Sequence, residues 1–409
     1  MKKNKYLFFI ASILIFIFFS WGFLTATYKI FPFSFIRDIY WTFVQEDIPY
    51  DKDKDRVDYI NEFYQNEEFV AFQKSIIKDK FNNIKKNPNL FRNQIINDYI
   101  LPSKIININE LNIEEIVNKK IHIDARIHQF QEKPSPNSVL WNARYYNIDH
   151  YGILETNKDS KKLLVYIHGH NGNPYSYKYF LDIKEKFKNK GYDVMSLSMT
   201  GLGFNKLAES DHSFPVNTEK KSNISFDYRV HKRDIGLHDN YQFYYDKNYP
   251  NIKPLALMLS GNYYLIKNLE NKYEEVTMMG LSGGGWYTTM LSALIPRIEK
   301  SYSFAGSLPK VFGLQKQTRE WEEIFSPIWE KYDYWDFYFL ALFDGDNFHS
   351  REHHLIFNNK DPSRFADPYA SAFKNIVDLV SIDKLKAVVI ENEYHNIDTQ
   401  FVEEYILKD

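Results

Sequence analysis

A chain of 409 residues with 44% hydrophobic and 17% aromatic side chains has material for one large domain or two ordinary ones, which excludes wholesale disorder. Its formal net charge of −2 offers no positive field to nucleic acid, and neither a zinc spacing nor a phosphate-loop pattern is present. With no cysteine, disulfides and thiolate chemistry are excluded and the redox compartment stays open.

Lys2, Lys3 and Lys5 precede an uncharged run of 22 residues, Tyr6 to Thr27, dominated by Leu, Ile and Phe. As a helix it would reach roughly 33 Å, enough for a hydrocarbon core of about 30 Å. Basic residues ahead of the run favour a cytoplasmic N-terminus. The sequence therefore predicts a single-pass membrane anchor over residues 1–28, with everything after Lys29 extracytoplasmic. The rival reading is a signal peptide, cleaved before secretion. Ala26 suits the place before a cut, but Leu24 stands two residues earlier, where a small residue belongs.

Residues 29–120 are rich in Lys, Asn, Ile and aromatics and poor in glycine. Between Val57 and Lys86, the residues Ile60, Phe63, Tyr64, Phe69, Phe72, Ile76, Ile77 and Phe81 recur at helical spacing. This predicts a membrane-proximal, mainly helical region whose aromatic stripe is a packing face. "KIHIDARIHQF" (Lys120 to Phe130) alternates as a half-buried strand does, and "QEKPSPNS" (Gln131 to Ser138) reads as a loop. "VLWNARYYNIDHYGILET" (Val139 to Thr156) predicts a hairpin turning near Asp149 to Gly152.

After Ser160 the pattern changes. "KLLVYIHG" (Lys162 to Gly169) is a continuous apolar run, as in a strand buried on both faces. A helix follows, with Asn173 as its N-cap, Pro174 at its first position and Gly191 as its stop. The unit recurs. Strands are predicted at Tyr192–Met199, Glu274–Gly280, Lys300–Gly306, His353–Asn359 and Lys384–Asn392, with helices at Leu255–Leu269 and Trp286–Leu294. Such alternation predicts an α/β domain with a mainly parallel sheet covered on both faces, over residues 121–409. Chemistry in such sheets gathers at the carboxyl ends of the strands.

One of those ends carries Gly280-Leu281-Ser282-Gly283-Gly284, a G-x-S-x-G pattern expected by chance about 0.1 times in a chain of this length. A tight turn that lifts a serine off a strand brings strand and helix backbones together two residues either side, where only glycine fits. A serine hydroxyl is a weak nucleophile and needs a base, and the base needs a third group to hold it. Downstream, Asp361 follows the strand of His353–Asn359 and His395 follows the strand of Lys384–Asn392. The order serine, aspartate, histidine, each after a separate strand, lets three distant residues converge. Competing acids are Asp344, Asp346, Asp367, Glu391 and Glu393; competing bases are His349, His353 and His354, which lie before their strand or at its start.

With these features the chain resembles the α/β-hydrolase superfamily over roughly Ile121 to Asp409. Besides GLSGG, the resemblance rests on "YIHGHNG" (Tyr166 to Gly172), "MTGLGF" (Met199 to Phe204), KDP and EYHN. It implies a Ser282, Asp361 and His395 triad, with oxyanion-hole N–H groups from Gly283 and His170. The turn departs from the lipase type, because His170 and Asn171 stand where glycines would be. The insertion at 307–352, with "REWEEIFSPIWEKYDYWDFYFLALF" (Arg319 to Phe343), is open to two readings: a lid over an apolar substrate, or ordinary packing helices. The implied activity is carboxylic ester hydrolysis through an acyl-enzyme, on a small-molecule or acylated-glycan ester, with no metal or organic cofactor. An acyltransferase or a peptidase would use the same triad. A dormant binding or scaffold module is the alternative of a different class.

Overall fold

The computed structural model describes residues 62–100, 107–112, 134–135, 137–145, 148–170, 173–205, 253–312, 326–348, 350–362 and 365–408. The Tyr6–Thr27 run and the strand expected at Lys120–Phe130 lie outside them. Among the described residues no helix is long and apolar enough to cross a membrane.

Among the described residues nine strands form one sheet: β1 (Asn107–Asn112), β2 (Val139–Tyr145), β3 (Ile148–Glu155), β4 (Lys162–Ile167), β5 (Tyr192–Leu197), β6 (Glu275–Leu281), β7 (Lys300–Phe304), β10 (Glu352–Asn358) and β11 (Leu385–Ile390). Two more, β8 (Phe343–Asp344) and β9 (Asn347–Phe348), make a small hairpin. The order across the sheet is β1-β2-β3-β5-β4-β6-β7-β10-β11. β1, β2 and β3 run antiparallel to their neighbours, and every pairing from β5 to β11 is parallel. The expected mainly parallel sheet is present, and the run Leu163 to Ile167 is wholly buried as its unbroken apolar pattern requires.

The main helices are α1 (Glu67–Lys86), α2 (Pro88–Ile95), α3 (Lys178–Asn189), α4 (Pro254–Leu269), α5 (Gly283–Leu294), α6 (Tyr334–Leu340) and α7 (Tyr369–Val380), with a short α8 (Thr399–Phe401) near the C-terminus. Crossovers between parallel strands are right-handed. The connection through α3 moves one way across the sheet, from β4 to β5, while those through α4, α5 and α7 move the other way. Helices therefore cover both faces. The direction reverses at the neighbouring strands β4 and β6, and the crevice outside their carboxyl ends is where such sheets place their chemistry.

Local differences from the sequence reading have simple causes. The hairpin turns earlier than expected, between Tyr145 and Ile148, because β3 begins at Ile148 and continues through Gly152. Asn173 does cap, but it caps a single 3₁₀ turn at Pro174–Ser176; α3 starts afresh at Lys178 after extended Tyr177. Gly191 ends it with φ of +84°. α1 buries only Ile77 and Ile84, while Phe72 on its other side is 62% exposed. An added strand, β1, sits in the stretch read as helical, where pairing with β2 overrides an asparagine-rich sequence of poor strand propensity.

Val57 to Asp409 form one compact unit, so α1 and α2 are built onto the sheet-bearing part of the chain. Arg92 of α2 is the fastening. Its guanidinium donates to the carbonyls of Ala293 (2.8 Å), Leu340 (3.1 Å) and Phe343 (2.8 Å). Arg351, wholly buried, shares the Leu340 and Phe343 carbonyls and takes those of Ser292, Ile295 and Ile298. Several of these are the carbonyl ends of α5 and α6, where the helix dipole favours a cation. Burial lowers the Arg92 pKa to about 10 and, with the neighbouring Arg92 charge, that of Arg351 to about 9, so both stay charged at neutral pH.

Within the described part of the 307–352 insertion, every residue of α6 is buried; Trp335 and Tyr338 lie against Phe373 of α7, and Asp336 pairs with Lys80 of α1 at 3.0 Å. Residues 313–325 lie outside the described part.

Candidate active site

β6 is buried from Val276 onward and breaks sharply at Ser282, whose φ of 58° and ψ of −124° place a non-glycine residue in a costly region, about 1–3 kcal/mol. The surroundings enforce it. Ser282 N–H donates to Phe304 O across the sheet at 2.8 Å, and its own carbonyl accepts from Trp286 N at 2.9 Å to start α5. A Cβ on Gly280 would be driven into the Gly284 backbone and would lie 2.8 Å from Ile167 O; one on Gly284 would strike the Ile167 carbonyl. Strand and helix touch at the two glycines, as the pattern required. A serine at a helix N-cap ordinarily bonds an N–H of the first turn. Ser282 does not, and its hydroxyl is left for other work.

The turn after β4 abuts this serine. A Cβ on Gly169 would lie 2.9 Å from Ser282 Cβ and 3.3 Å from Gly283 N. Next in chain, His170 brings its imidazole against Gly283, whose own Cβ would sit 2.8 Å from His170 Cε1. The two residues expected to supply oxyanion donors are thus neighbours, at the N-terminus of α5 where backbone N–H groups favour negative charge. The third wall is Met199, from the loop after β5, whose thioether fills the space beside Gly283.

The other two residues of the expected triad meet. Asp361 is fully buried three residues past β10, and its Oδ2 lies 2.7 Å from His395 Nδ1. A carboxylate only accepts, so Nδ1 carries the proton and Nε2 remains the acceptor. Leu281, Phe304, Ile356 and Val388 stand in one register row across β6, β7, β10 and β11. The residues that follow leave from the same rim. The side chain of His395 is 26% exposed. No direct hydrogen bond joins Ser282 Oγ to His395 among the described residues; such contacts are often long until substrate closes them.

His168 ties the histidine loop to the β4 turn electrically. Burial, and after it the charge of His395, lowers its pKa to about 3, so His168 stays neutral and is no base. It stacks on Tyr177 at 4.3 Å and bonds Tyr166 Oη through Nδ1 at 3.3 Å. The competing acids are placed elsewhere. Asp367 accepts from Ser371 N and Oγ at the start of α7, Asp346 pairs with Asn89 beside the β8–β9 hairpin, and Glu391 and Glu393 meet Lys360 in solvent. His353 bonds Ser301 and His354 bonds Tyr405 and Glu352, both in buried positions on β10. His349 lies outside the described residues.

Sequence reasoning missed the groups that hold the rim. Asn358, Asn392 and Asn396 bond to one another's loop around His395, and Met199 flanks Gly283. A signal existed for one of them: Asn392 two residues before Tyr394 is the spacing of an Asx turn, and its Oδ1 accepts from Tyr394 N at 2.9 Å.

No family model and no curated protein matches the chain. Solved structures that it resembles include an acetyl xylan esterase from Thermoanaerobacterium (TM-score 0.44, 14% identity, 81% of this chain and 92% of that one). An esterase from Butyrivibrio proteoclasticus gives 0.41 at 13% identity, over 66% and 98% of the two chains. An esterase from Pyrococcus furiosus gives 0.41 at 13%, over 68% and 92%.

Proposed function

We propose that the chain is a serine hydrolase that cleaves a carboxylic ester through an acyl-enzyme, on the outer side of a membrane to which its N-terminal run tethers it. The observation that carries the reading is the 2.7 Å bond from His395 to buried Asp361, on the rim where Ser282 stands on its strained turn. His395 Nε2 takes the proton as Ser282 Oγ attacks the ester carbonyl, and Asp361 holds the resulting imidazolium. The Gly283 and His170 N–H groups meet the oxyanion, His395 returns the proton to the departing alkoxide, and water releases the acyl group by the same steps. Tyr394, 66% exposed beside His395, offers an aromatic face that suits a sugar or another ring in the alcohol half of the ester.

A membrane-impermeant fluorophosphonate applied to intact cells tests nucleophile and side together. Wild type should label and Ser282→Ala should not. Labelling only after lysis would reverse the orientation, and none in either condition would leave a tethered scaffold with a dormant site.

A further inference from the structure

The chain between β11 and α8 has no regular structure, yet its backbone is bonded on both sides of His395. Asn358, the last residue of β10, is only 3% exposed. Its side-chain amide donates one hydrogen to the Tyr394 carbonyl at 2.6 Å and the other to the Asn396 carbonyl at 3.0 Å. Those are the carbonyls of the residues immediately before and after His395. A second layer supports the first. Asn359 Oδ1 accepts from Asn392 N at 3.1 Å, Lys360 N donates to Asn392 O at 3.2 Å, and Asn392 Nδ2 reaches Asn396 Oδ1 at 3.0 Å. The strand end that leads to Asp361 therefore also grips the loop of its partner.

We propose that Asn358 is the positioning residue of His395: by holding the carbonyls of Tyr394 and Asn396 it fixes the peptide that enters His395 and the one that leaves Asn396, and so the direction in which Nδ1 meets Asp361. The claim rests on the triad reading above. Its chemistry is specific to asparagine. A buried amide supplies two hydrogens from one nitrogen, which a single-donor hydroxyl cannot do, and a carboxylate of the same shape would turn an acceptor toward two carbonyls. Without the clamp, loop and imidazole regain freedom that the bond to Asp361 and the second layer must then restrain. Misplacement of a catalytic group by about 1 Å costs on the order of 100-fold in rate.

The test uses the full-length chain in detergent, p-nitrophenyl acetate as the ester, and the low-field proton resonance of the His395 imidazole N–H that Asp361 accepts. Asn358→Ala and Asn358→Asp should stay folded by circular dichroism, lose about 100-fold in kcat with KM changed less than about threefold, and lose the low-field resonance to exchange. Asn358→Ser, keeping one donor, should recover part of both. A folded Asn358→Ala with wild-type kcat and an intact resonance would overturn the assignment. Should Asn358→Ala fail to fold, Asn392→Ala decides, because it loosens the same loop from its own side: paired loss of kcat and resonance supports the clamp, and wild-type behaviour removes it. A wild type that neither hydrolyses ester nor reacts with fluorophosphonate would defeat the esterase reading separately. In that case the resonance still reports on Asn358, and its persistence in Asn358→Ala would overturn the clamp alone.

Discussion

Ser282 accepts a backbone conformation that few L-residues take, and in exchange its hydroxyl is withheld from the helix it begins. Asp361 and His395 show the complementary arrangement, a buried acceptor against a partly exposed donor. If Asp361 fixes the tautomer, Asp361→Asn should lower kcat by about 10³–10⁴ with the protein still folded, since an amide can hold the ring with the wrong nitrogen protonated. Asp346→Asn, which disturbs the contact with Asn89 and removes a charge near Arg92, should hydrolyse ester like wild type. Steady-state kinetics on the two variants check this, and comparable losses in both would remove Asp361 from its role. These residues were legible because each follows a strand of the parallel part of the sheet, where side-chain chemistry and topology coincide. Asn358 was not: an asparagine at a strand end reads as turn punctuation, and only three dimensions reveal that its amide spans to residues 394 and 396.

Elements built on burial were read with their type and nearly their limits. β4, β6, β7 and β10 fall within one or two residues of the expected runs, because an unbroken apolar stretch has few alternatives to the sheet interior. The elements decided by tertiary contact were harder. β1 has no strand signal of its own, and α6 read equally as cover or core until its full burial against α1, α5 and α7 was visible. α2 is held by a polar device that hydrophobic periodicity does not register. Replacing Arg92 by Met leaves the Ala293 carbonyl without its charged donor and halves the donors at Leu340 and Phe343. The loss should be about 2–4 kcal/mol, given about 1.5–3 kcal/mol for a hydrogen bond to a charged group. Urea titration would show it as a lower midpoint with an unchanged slope, and a midpoint equal to wild type would mean Arg351 suffices alone.

For the molecule as a whole, acid is a condition that weakens the fold. His168 and His353 are buried, and burial is the main cause that lowers each to about 3. Both are neutral in the fold, whereas in the unfolded chain each would bind a proton near 6.5. The unfolded state thus holds more protons between about pH 6.5 and 3, and stability declines as pH falls through that window, by up to about 1.4 kcal/mol per pH unit for each histidine. Urea midpoints should drop from pH 7.5 to pH 5, and His353→Asn should be less stable at pH 7.5 but lose less on acidification. A midpoint that does not move with pH would sink the argument.

The two guanidiniums that share the Leu340 and Phe343 carbonyls have a practical consequence for anyone wishing to shorten the chain at its N-terminus. Composition alone suggests trimming at about residue 120, yet that cut would discard Arg92 and unroof α5 and α6. The safe incision lies upstream of Val57, where the compact unit starts, so shortened forms ought to keep the whole of α1 and α2.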